Sequence, residues 1–130
     1  TEPALLVADE PTATLDTGEQ AALLALLRRL RDRTDVGVLL ITHDLGVVAE
    51  VCDSVLVMYG GVVAEYSDVD TIYNAPRHPY TQELLKAFPD IANLSGKLAS
   101  IPGYPPRLHA LPPGCRFAPR CPVVPSACTS

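Results

Sequence analysis

The chain has 130 residues, a formal net charge of −5 and an apolar fraction of 48%. This length suits one modest domain, and the acidic balance argues against nucleic-acid binding through bulk electrostatics. The longest apolar run, Ala21–Leu27, is far shorter than the roughly 20 residues that a membrane-spanning helix needs. Because strand-like sequence begins almost at Thr1, with no signal segment before it, we expect the chain to be part of a longer protein.

The first part of the chain predicts a strand, a helix and a second strand. The apolar runs Ala4–Ala8 and Val38–Ile41 have the length and composition of buried strands. Between them we expect a helix over about Thr17–Arg33, with Thr17 and Gln20 forming a capping box at its start. Strand, helix and strand in this order form a βαβ unit, which joins parallel strands by a right-handed crossover. The buried stripe of the helix is predicted at Leu23, Leu26, Leu27 and Leu30.

The rest of the chain predicts short helices, one hairpin and an irregular tail. Gly60 and Gly61 separate two apolar runs and suit a tight turn between antiparallel strands. Eight of the 13 prolines lie between Pro102 and Pro125, which excludes a helix or a central strand there. Such a segment needs contacts other than a strand ladder to hold it. The predicted elements before it are a helix at Leu45–Cys52, strands at Ser54–Tyr59 and Val62–Tyr66, and helices at Asp68–Tyr73 and at Pro79 to about Phe88.

Ionisable side chains follow both strands of the βαβ unit at the point where each strand ends. Asp9 and Glu10 come directly after the first apolar run, and Thr42, His43 and Asp44 follow the second. Because adjacent parallel strands end side by side, we expect Glu10 and His43 to converge. A carboxylate can hold Mg²⁺ directly or through water, and its neighbour can activate a water that attacks the γ-phosphate of a nucleotide.

A plainer interpretation treats Asp9 and Glu10 as a solvent-facing turn, and a lone histidine is usually a satisfied polar residue. The joint spacing favours a nucleotide site, because Pro11-Thr12 and Leu15-Asp16 follow the carboxylates and a histidine ends the next strand. His78-Pro79 could likewise be a ligand site, but the start of a helix explains these residues more simply.

Two segments resemble motifs of ABC-type ATPases. Leu5–Asp16, LLVADEPTATLD, resembles their Walker B motif and D-loop, and Leu39–Leu45, LLITHDL, resembles their H-loop. The sequence that follows is similar to the ATP-binding subunits of dipeptide and oligopeptide importers, through RHPYT at Arg77–Thr81 and LPPGCRFAPRCP at Leu111–Pro122. The D-loop departs from the usual pattern, with Ala13-Thr14 in place of Thr-Ala. Both residues are small, so we expect little effect.

The resemblance implies an α/β fold, namely the C-terminal part of a P-loop ABC ATPase sheet with flanking helices and a Pro/Cys-rich irregular extension. Residues 1–76 would form the ATPase part, with Walker B, D-loop and H-loop, and residues 77–130 the extension. The resemblance also implies four roles: Asp9 binds Mg-ATP, Glu10 polarises the attacking water, Asp16 contacts the opposite ATPase subunit through the D-loop, and His43 contacts the γ-phosphate.

The same resemblance implies an ATPase subunit that powers peptide import, with ATP and Mg²⁺ as cofactors. Its expected partners are a second ATPase subunit, identical or paralogous, two membrane permease subunits and an extracytoplasmic peptide-binding protein, and no nucleic acid. Its expected location is peripheral, on the cytoplasmic face of the inner membrane. The sequence contains no G-x-x-x-x-G-K-[ST] run, so we expect the phosphate-binding loop to precede Thr1 and these 130 residues alone to be inactive.

Three cysteines of the tail, Cys115, Cys121 and Cys128, have the spacing C-x₅-C-x₆-C. Disulfides are rare in the reducing cytosol, and zinc sites usually have closer spacing, while free thiols without a metal stay open as an alternative. A metal would staple a segment that has no strand ladder, and the neighbouring Arg116 and Arg120 would stabilise an anionic thiolate site.

In the resembled importers such a tail can carry a [4Fe–4S] cluster, and cluster ligation usually takes four cysteines. The resemblance therefore implies a cluster on Cys115, Cys121 and Cys128, with its fourth ligand beyond Ser130. Cys52 is a poor candidate for that ligand, because its helix stripe places it in the core.

Two other function classes stay open. A non-transport ABC ATPase would share Asp9, Glu10 and His43 with this chain, but neither Arg77–Thr81 nor the cysteine tail. A metal-binding interaction module would use residues 101–130 and would need none of the strands.

Overall fold

The structure, a computed structural model, describes residues 3–87, 100–123 and 128. Two compact units divide the chain, Thr1–Asp53 and Ser54–Ser130. The predicted boundary between residues 76 and 77 falls inside the second of these units. Among the helices of the described residues, none combines the length and the apolarity that crossing a bilayer requires.

The first unit is the predicted βαβ arrangement followed by a short helix. Its elements are β1 (Leu5–Asp9), α1 (Thr17–Arg33), β2 (Gly37–Ile41) and α2 (Leu45–Val51). Strand β1 pairs with β2 in parallel, with Leu5 opposite Gly37 and Asp9 opposite Ile41. Both strands therefore end at the same edge of the sheet, as the sequence predicted.

The core of this unit lies between the two helices and one face of the sheet. Leu24 and Leu27 of α1 are buried together with Val47 of α2. The predicted stripe is wrong at Leu26, which is 60% exposed, because the buried face of α1 is centred on Leu24 and Leu27, one turn apart. Partly buried side chains surround this cluster: Leu6, Leu23, Val38, Leu40 and Val51.

The other face of the sheet is apolar and exposed. Its residues Leu5, Val7, Leu39 and Ile41 alternate with the core-facing ones, and each is about half exposed. The sequence predicted strands buried on both faces, as is usual in parallel sheets, whereas the described residues cover only one. Asp9 lies on the exposed face, because side chains alternate along a strand.

An acidic residue caps α1. Asp16 accepts a hydrogen bond from the backbone N–H of Glu19 at 2.8 Å, and the Glu19 carboxylate accepts one from the N–H of Asp16 at 3.3 Å. This capping box replaces the predicted pair of Thr17 and Gln20. The reason is that Asp16 has the extended backbone of an N-cap, while Thr17 is already helical.

The second unit is built on the predicted hairpin. Strand β3 (Ser54–Tyr59) pairs antiparallel with β4 (Val62–Asp68), which continues beyond its predicted end at Tyr66. Gly60 and Gly61 connect the strands with φ of 57° and 86°. Positive φ at both central residues is what a two-residue hairpin turn of this kind requires, and glycine adopts it without steric cost.

Two short helices and an irregular tail complete the second unit. Helix α3 spans Val69–Asn74 and α4 spans Pro79–Lys86, and the end predicted near Phe88 lies outside the described residues. Residues 100–123 contain one short 3₁₀ helix, Ala118–Arg120, and no strand, as the proline content predicted.

One aromatic residue anchors the tail to the hairpin and to α4. Phe117 is 1% exposed, and its ring centroid lies 5.1 Å from that of Tyr59 and 5.4 Å from that of Tyr80. The planes of Phe117 and Tyr59 meet at 83°, the edge-to-face geometry that aromatic pairs favour. Burying one phenylalanine contributes about 1.5–3 kcal/mol, which makes this ring a strong anchor for a segment without a strand ladder.

Two arginines of the tail add hydrogen bonds to this anchor. Nη1 of Arg116 donates to the carbonyl of Gly60 at the hairpin turn. Arg120 donates from Nε to the Pro102 carbonyl at 2.8 Å, from Nη2 to the Ile101 carbonyl at 2.8 Å, and from Nη1 to the Tyr59 hydroxyl at 3.1 Å. The tail is therefore held by one buried ring and two guanidinium groups.

Candidate functional site

Glu10 stands where β1 ends, and its backbone turns sharply there. Its φ is 46°, in the left-handed region that costs a non-glycine residue about 1–2 kcal/mol. The N–H of Glu10 donates to the carbonyl of Ile41 at 2.8 Å, which ties this turn to the end of β2. Backbone strain of this kind persists only where surrounding contacts hold the residue in place, and strained residues cluster at functional sites.

The structure brings Glu10 and His43 together, as the sequence predicted. Nδ1 of His43 lies 2.9 Å from Oε1 of Glu10, and because a carboxylate only accepts, Nδ1 carries the shared hydrogen. The hydrogen bond to Glu10 and the charge of that carboxylate raise the pKa of His43 above its ordinary value, against a smaller effect of burial. The imidazole is 84% exposed, so its Nε2 is accessible to a ligand.

Thr42 contacts the other oxygen of the same carboxylate. Its hydroxyl lies 3.4 Å from Oε2 of Glu10 and accepts a hydrogen bond from the N–H of Asp44 at 3.1 Å. The Asp44 side chain caps α2 and accepts from the N–H groups of Gly46 at 2.8 Å and Val47 at 3.2 Å. The segment after β2 is thereby fixed to the start of α2, and its two successive side chains Thr42 and His43 contact the Glu10 carboxylate.

Asp9 and Asp16 lie near this pair in sequence but are placed differently. Asp9 ends β1 on the exposed face of the sheet, where a carboxylate oxygen is accessible to Mg²⁺. Asp16 caps α1, so its side chain already has a structural role. Its contact with an opposite subunit stays a prediction, since the structure holds a single chain.

A second polar cluster, which the sequence did not predict, surrounds Glu65 of β4. Its carboxylate accepts from the backbone N–H of Arg77 at 2.7 Å and of His78 at 3.1 Å. Partial burial raises the pKa of Glu65, but the Thr81 hydroxyl, the two N–H groups and the charge of His78 together bring it below its ordinary value. The Thr81 hydroxyl is buried and has no partner of hydrogen-bond geometry among the described residues.

The segment Arg77–Thr81 thus forms the start of a helix, the simpler of the two interpretations of its sequence. Nδ1 of His78 accepts from the N–H of Tyr80 at 3.0 Å, and Pro79 occupies the first turn. Sequence reasoning missed Glu65 because its partners are backbone groups on the segment 12 residues further on, and no side-chain pattern signals such a contact.

The three tail cysteines, Cys115, Cys121 and Cys128, are free thiols, and each is half-buried. The N–H of Cys115 donates to the carbonyl of Cys128 at 3.0 Å, which is a contact between backbones. In the part of the chain that the structure describes, no three histidine, cysteine, aspartate or glutamate side chains are placed to hold a metal ion. This arrangement of the tail therefore gives no support to the predicted iron–sulfur site.

The arginines beside these cysteines have other partners. The sequence predicted that Arg116 and Arg120 would stabilise thiolates, whereas both guanidinium groups bind oxygens of the hairpin or of residues 101–102. The chain folds back on the hairpin, which brings backbone carbonyls within reach of both side chains, and the role of the two arginines beside thiolates stays a prediction.

Cys52 lies just beyond α2 and is half-buried, so the predicted core position holds in part. Burial raises the pKa of its thiol; the charge of Asp53 adds to this rise, and the charge of Arg31 opposes it.

One family model and several known proteins are similar to this chain, and the proteins align with nearly its whole length. Residues 64–128 match the family described as oligopeptide/dipeptide transporter, C-terminal region. The chain is 47% identical over 126 residues, 97% of its length, to the dipeptide transport ATP-binding protein DppD of Escherichia coli (strain K12). It is 52% identical over 128 residues, 98% of its length, to the oligopeptide transport ATP-binding protein OppD of Mycobacterium tuberculosis (strain ATCC 25618 / H37Rv).

A peptide import ATP-binding protein of Brucella abortus (strain 2308) is 47% identical over 127 residues, 98% of the chain. The matched region is a minor part of each relative. The chain spans 38% of the length of the Brucella and Escherichia proteins and 21% of the Mycobacterium protein.

Proposed function

The chain belongs to the family described as oligopeptide/dipeptide transporter, C-terminal region, and we propose that the protein containing it hydrolyses ATP to power peptide import. The observation that carries the chemistry is the 2.9 Å contact between Nδ1 of His43 and Oε1 of Glu10. It places a carboxylate and an imidazole where two parallel strands end, the edge at which open α/β sheets bind ligands. The names of the relatives, which refer to peptide and dipeptide transport, suggest the substrate class.

In this proposal Glu10 polarises the attacking water. Its carboxylate offers about four lone-pair sites, so it can accept from water while it keeps its contacts with Thr42 and His43. The water oxygen forms a bond to the γ-phosphorus in line with the bond to the β-phosphate oxygen, which breaks, and the proton of the water passes to the carboxylate. Positioning and electrostatics provide most of the catalysis of such a transfer.

His43 stabilises the charge that develops on the transferred phosphoryl group. As an imidazolium it donates Nδ1–H to Glu10 and still has Nε2–H for an oxygen of the γ-phosphate. The raised pKa of His43 favours this doubly protonated form. Asp9 would hold the Mg²⁺ of bound Mg-ATP, and that ion would supply charge neutralisation at the phosphates.

Other parts of the protein complete the site. The chain has no G-x-x-x-x-G-K-[ST] run, so the loop that cradles the phosphates lies elsewhere, and we expect these 130 residues alone to be inactive. Asp16 faces a second ATPase subunit in this proposal. The full assembly adds two membrane permease subunits and an extracytoplasmic peptide-binding protein, and the ATPase is peripheral on the cytoplasmic face of the inner membrane.

Glu10→Gln in the full-length protein tests the hydrolysis. Glutamine keeps the size of the side chain but not its charge, so ATP should still bind while turnover falls at least about 100-fold, the low end for a lost general base. Glu50→Gln is the matched control, because it removes a surface carboxylate paired with Arg28 at 2.6 Å and should leave turnover unchanged. Wild-type turnover in Glu10→Gln would exclude Glu10 from the reaction and refute the proposal.

Uptake of a labelled peptide tests the transport half of the proposal. In cells that lack the endogenous gene, the wild-type protein should restore uptake and Glu10→Gln should not. If the wild-type protein hydrolyses ATP and its loss leaves peptide uptake intact, the alternative of a non-transport ABC ATPase is correct.

The tail takes no part in the proposed hydrolysis. An iron–sulfur cluster on Cys115, Cys121 and Cys128 is the finer hypothesis implied by the sequence, and the described arrangement does not favour it. Anaerobic purification of the full-length protein, followed by visible absorption and an iron assay, tests it. A coloured, iron-bearing protein would support the cluster, and a colourless, iron-free protein with a folded tail would refute it.

A further inference from the structure

We propose that Thr42 is a positioning residue, whose hydroxyl fixes the Glu10 carboxylate in the orientation that the attacking water needs. This inference rests on the proposed function of Glu10. It follows from two contacts: the N–H of Asp44 donates to the Thr42 hydroxyl at 3.1 Å, and that hydroxyl faces Oε2 of Glu10 at 3.4 Å.

The Thr42 hydroxyl is the acceptor in the first contact and the donor in the second. A hydroxyl has one hydrogen and two lone pairs. Because the N–H of Asp44 occupies one lone pair of Thr42, the hydroxyl hydrogen remains to be donated, and the neighbouring carboxylate can only accept it. Asp44 is itself held as the N-cap of α2, so the position of the Thr42 hydroxyl is set by a helix start.

Thr42 and His43 together hold both oxygens of one carboxylate. His43 contacts Oε1 at 2.9 Å, and Thr42 faces Oε2 at 3.4 Å. The last torsion of a glutamate side chain is broad and roughly two-fold, so one donor alone leaves the carboxylate plane free to turn. Two donors on successive residues define that plane, and they therefore define the lone pairs that face the water.

The longer of the two contacts is the one expected to depend on substrate. A separation of 3.4 Å is longer than an ordinary O–H···O hydrogen bond, which spans about 2.5–3.0 Å, and catalytic hydrogen bonds are often long until the substrate complex tightens them. The Glu10 side chain is 37% exposed, so solvent can compete for Oε2 when the Thr42 hydroxyl is absent. The effect of Thr42 should therefore appear in kcat and not in the KM for ATP.

Thr42→Val and Thr42→Ser in the full-length protein test the inference. Valine keeps the shape of threonine without the hydroxyl, and it should lower kcat about 10- to 100-fold with the KM for ATP within about twofold. Serine keeps the hydroxyl and should retain kcat within about threefold of wild type. Thr34→Val is the matched control: it removes a hydroxyl that donates to the Leu30 carbonyl at 2.7 Å, at the end of α1, and should leave kcat unchanged.

Coupling to Glu10 separates positioning from a merely structural role. Because Thr42 acts through Glu10, adding Thr42→Val to Glu10→Gln should lower single-turnover hydrolysis by less than about twofold. An equal loss in both backgrounds, or a Thr42→Val protein with wild-type kcat, would overturn the inference. Thr42→Ala, whose smaller side chain lets water reach the N–H of Asp44, provides the same comparison if Thr42→Val unfolds at the assay temperature.

The outcomes distinguish this inference from the proposed function beneath it. If Glu10→Gln keeps wild-type turnover, the proposed function fails, and the role of Thr42 fails with it. If Glu10→Gln is inactive while Thr42→Val is fully active, the proposed function stands and only the role of Thr42 is refuted.

Discussion

Phe117 gives the sharpest test of how the tail is held. Its ring is buried against Tyr59 of the hairpin and Tyr80 of α4, and the chain around it has no strand ladder. If this ring anchors the tail, Phe117→Ala in the full-length protein should release the tail whether or not a metal is present. If a metal staples the tail, removing the metal should release it while Phe117 is intact.

The size of the effect follows from the burial of the ring. Truncating a buried phenylalanine to alanine costs about 3–5 kcal/mol, which includes the loss of its aromatic contacts. The hydrogen bonds of Arg116 and Arg120 do not involve the Phe117 side chain and stay available to the attached tail, so we use the lower figure. Each 1.4 kcal/mol is a tenfold change in population, so the detached tail should become about 100-fold more populated.

Limited trypsin digestion of the full-length protein measures this population. Cleavage after Arg120 requires its guanidinium to leave three oxygens, whereas Arg107 is exposed and provides an internal reference cut. Proteolysis reports the open population when opening is fast relative to cleavage, so Phe117→Ala should accelerate the Arg120 cut about 100-fold relative to the Arg107 cut.

The control substitution is Tyr104→Ala, which removes an aromatic ring that is 92% exposed and should leave both cuts unchanged. Two results would refute the reasoning. One is a Phe117→Ala protein cut after Arg120 at the wild-type rate. The other is a wild-type protein that a metal chelator alone makes sensitive at Arg120, because the tail would then depend on a metal.

Three further predictions concern stability and pH. Glu10→Gly relieves the left-handed backbone at φ 46° but also removes the pair with His43, so at a pH where His43 is neutral it should raise the Tm while abolishing turnover; a lower Tm by scanning fluorimetry at that pH would contradict this. The pKa of His43 is raised in the folded state, so His43 contributes stability that is present below its ordinary pKa and is lost as pH rises through the folded pKa. An NMR titration measures this pKa, and an unchanged His43 pKa in Glu10→Gln would exclude the pairing with Glu10 as the cause. The pKa of Glu65 is lowered in the folded state, so its carboxylate contributes stability that is present above its ordinary pKa and is lost as pH falls through the folded pKa. Glu65→Gln should cost about 1.5–3 kcal/mol of unfolding free energy in denaturant titrations, and an unchanged midpoint would show that its hydrogen bonds contribute nothing.

The sequence by itself determined the local structure of this protein. Helix α1 has its predicted bounds, Thr17–Arg33, and β3 has its predicted bounds, Ser54–Tyr59. The turn at Gly60-Gly61 and the helix start at His78 are also as predicted. These features depend on apolar periodicity, caps and glycine conformations, and each of these signals acts among residues that are close in the sequence.

The sequence also determined one tertiary contact, that of Glu10 with His43, because two parallel strands joined by a helix must end at the same edge. It did not determine the exact partners of the Glu10 carboxylate. The hydroxyl of Thr42 faces Oε2, the backbone at Glu10 turns into the left-handed region, and no local pattern signalled either feature.

Only the tertiary structure decided which residues meet across longer distances. It placed Leu24 in the core in place of Leu26, brought Glu65 against the backbone at the start of α4, and packed Phe117 of the tail against Tyr59 of the hairpin. The physical reason is common to all three. Periodicity fixes which face of an element is apolar, but the partner that covers that face depends on how distant segments pack, and hydrogen bonds and ring contacts depend on separations of a few ångströms that no local pattern specifies.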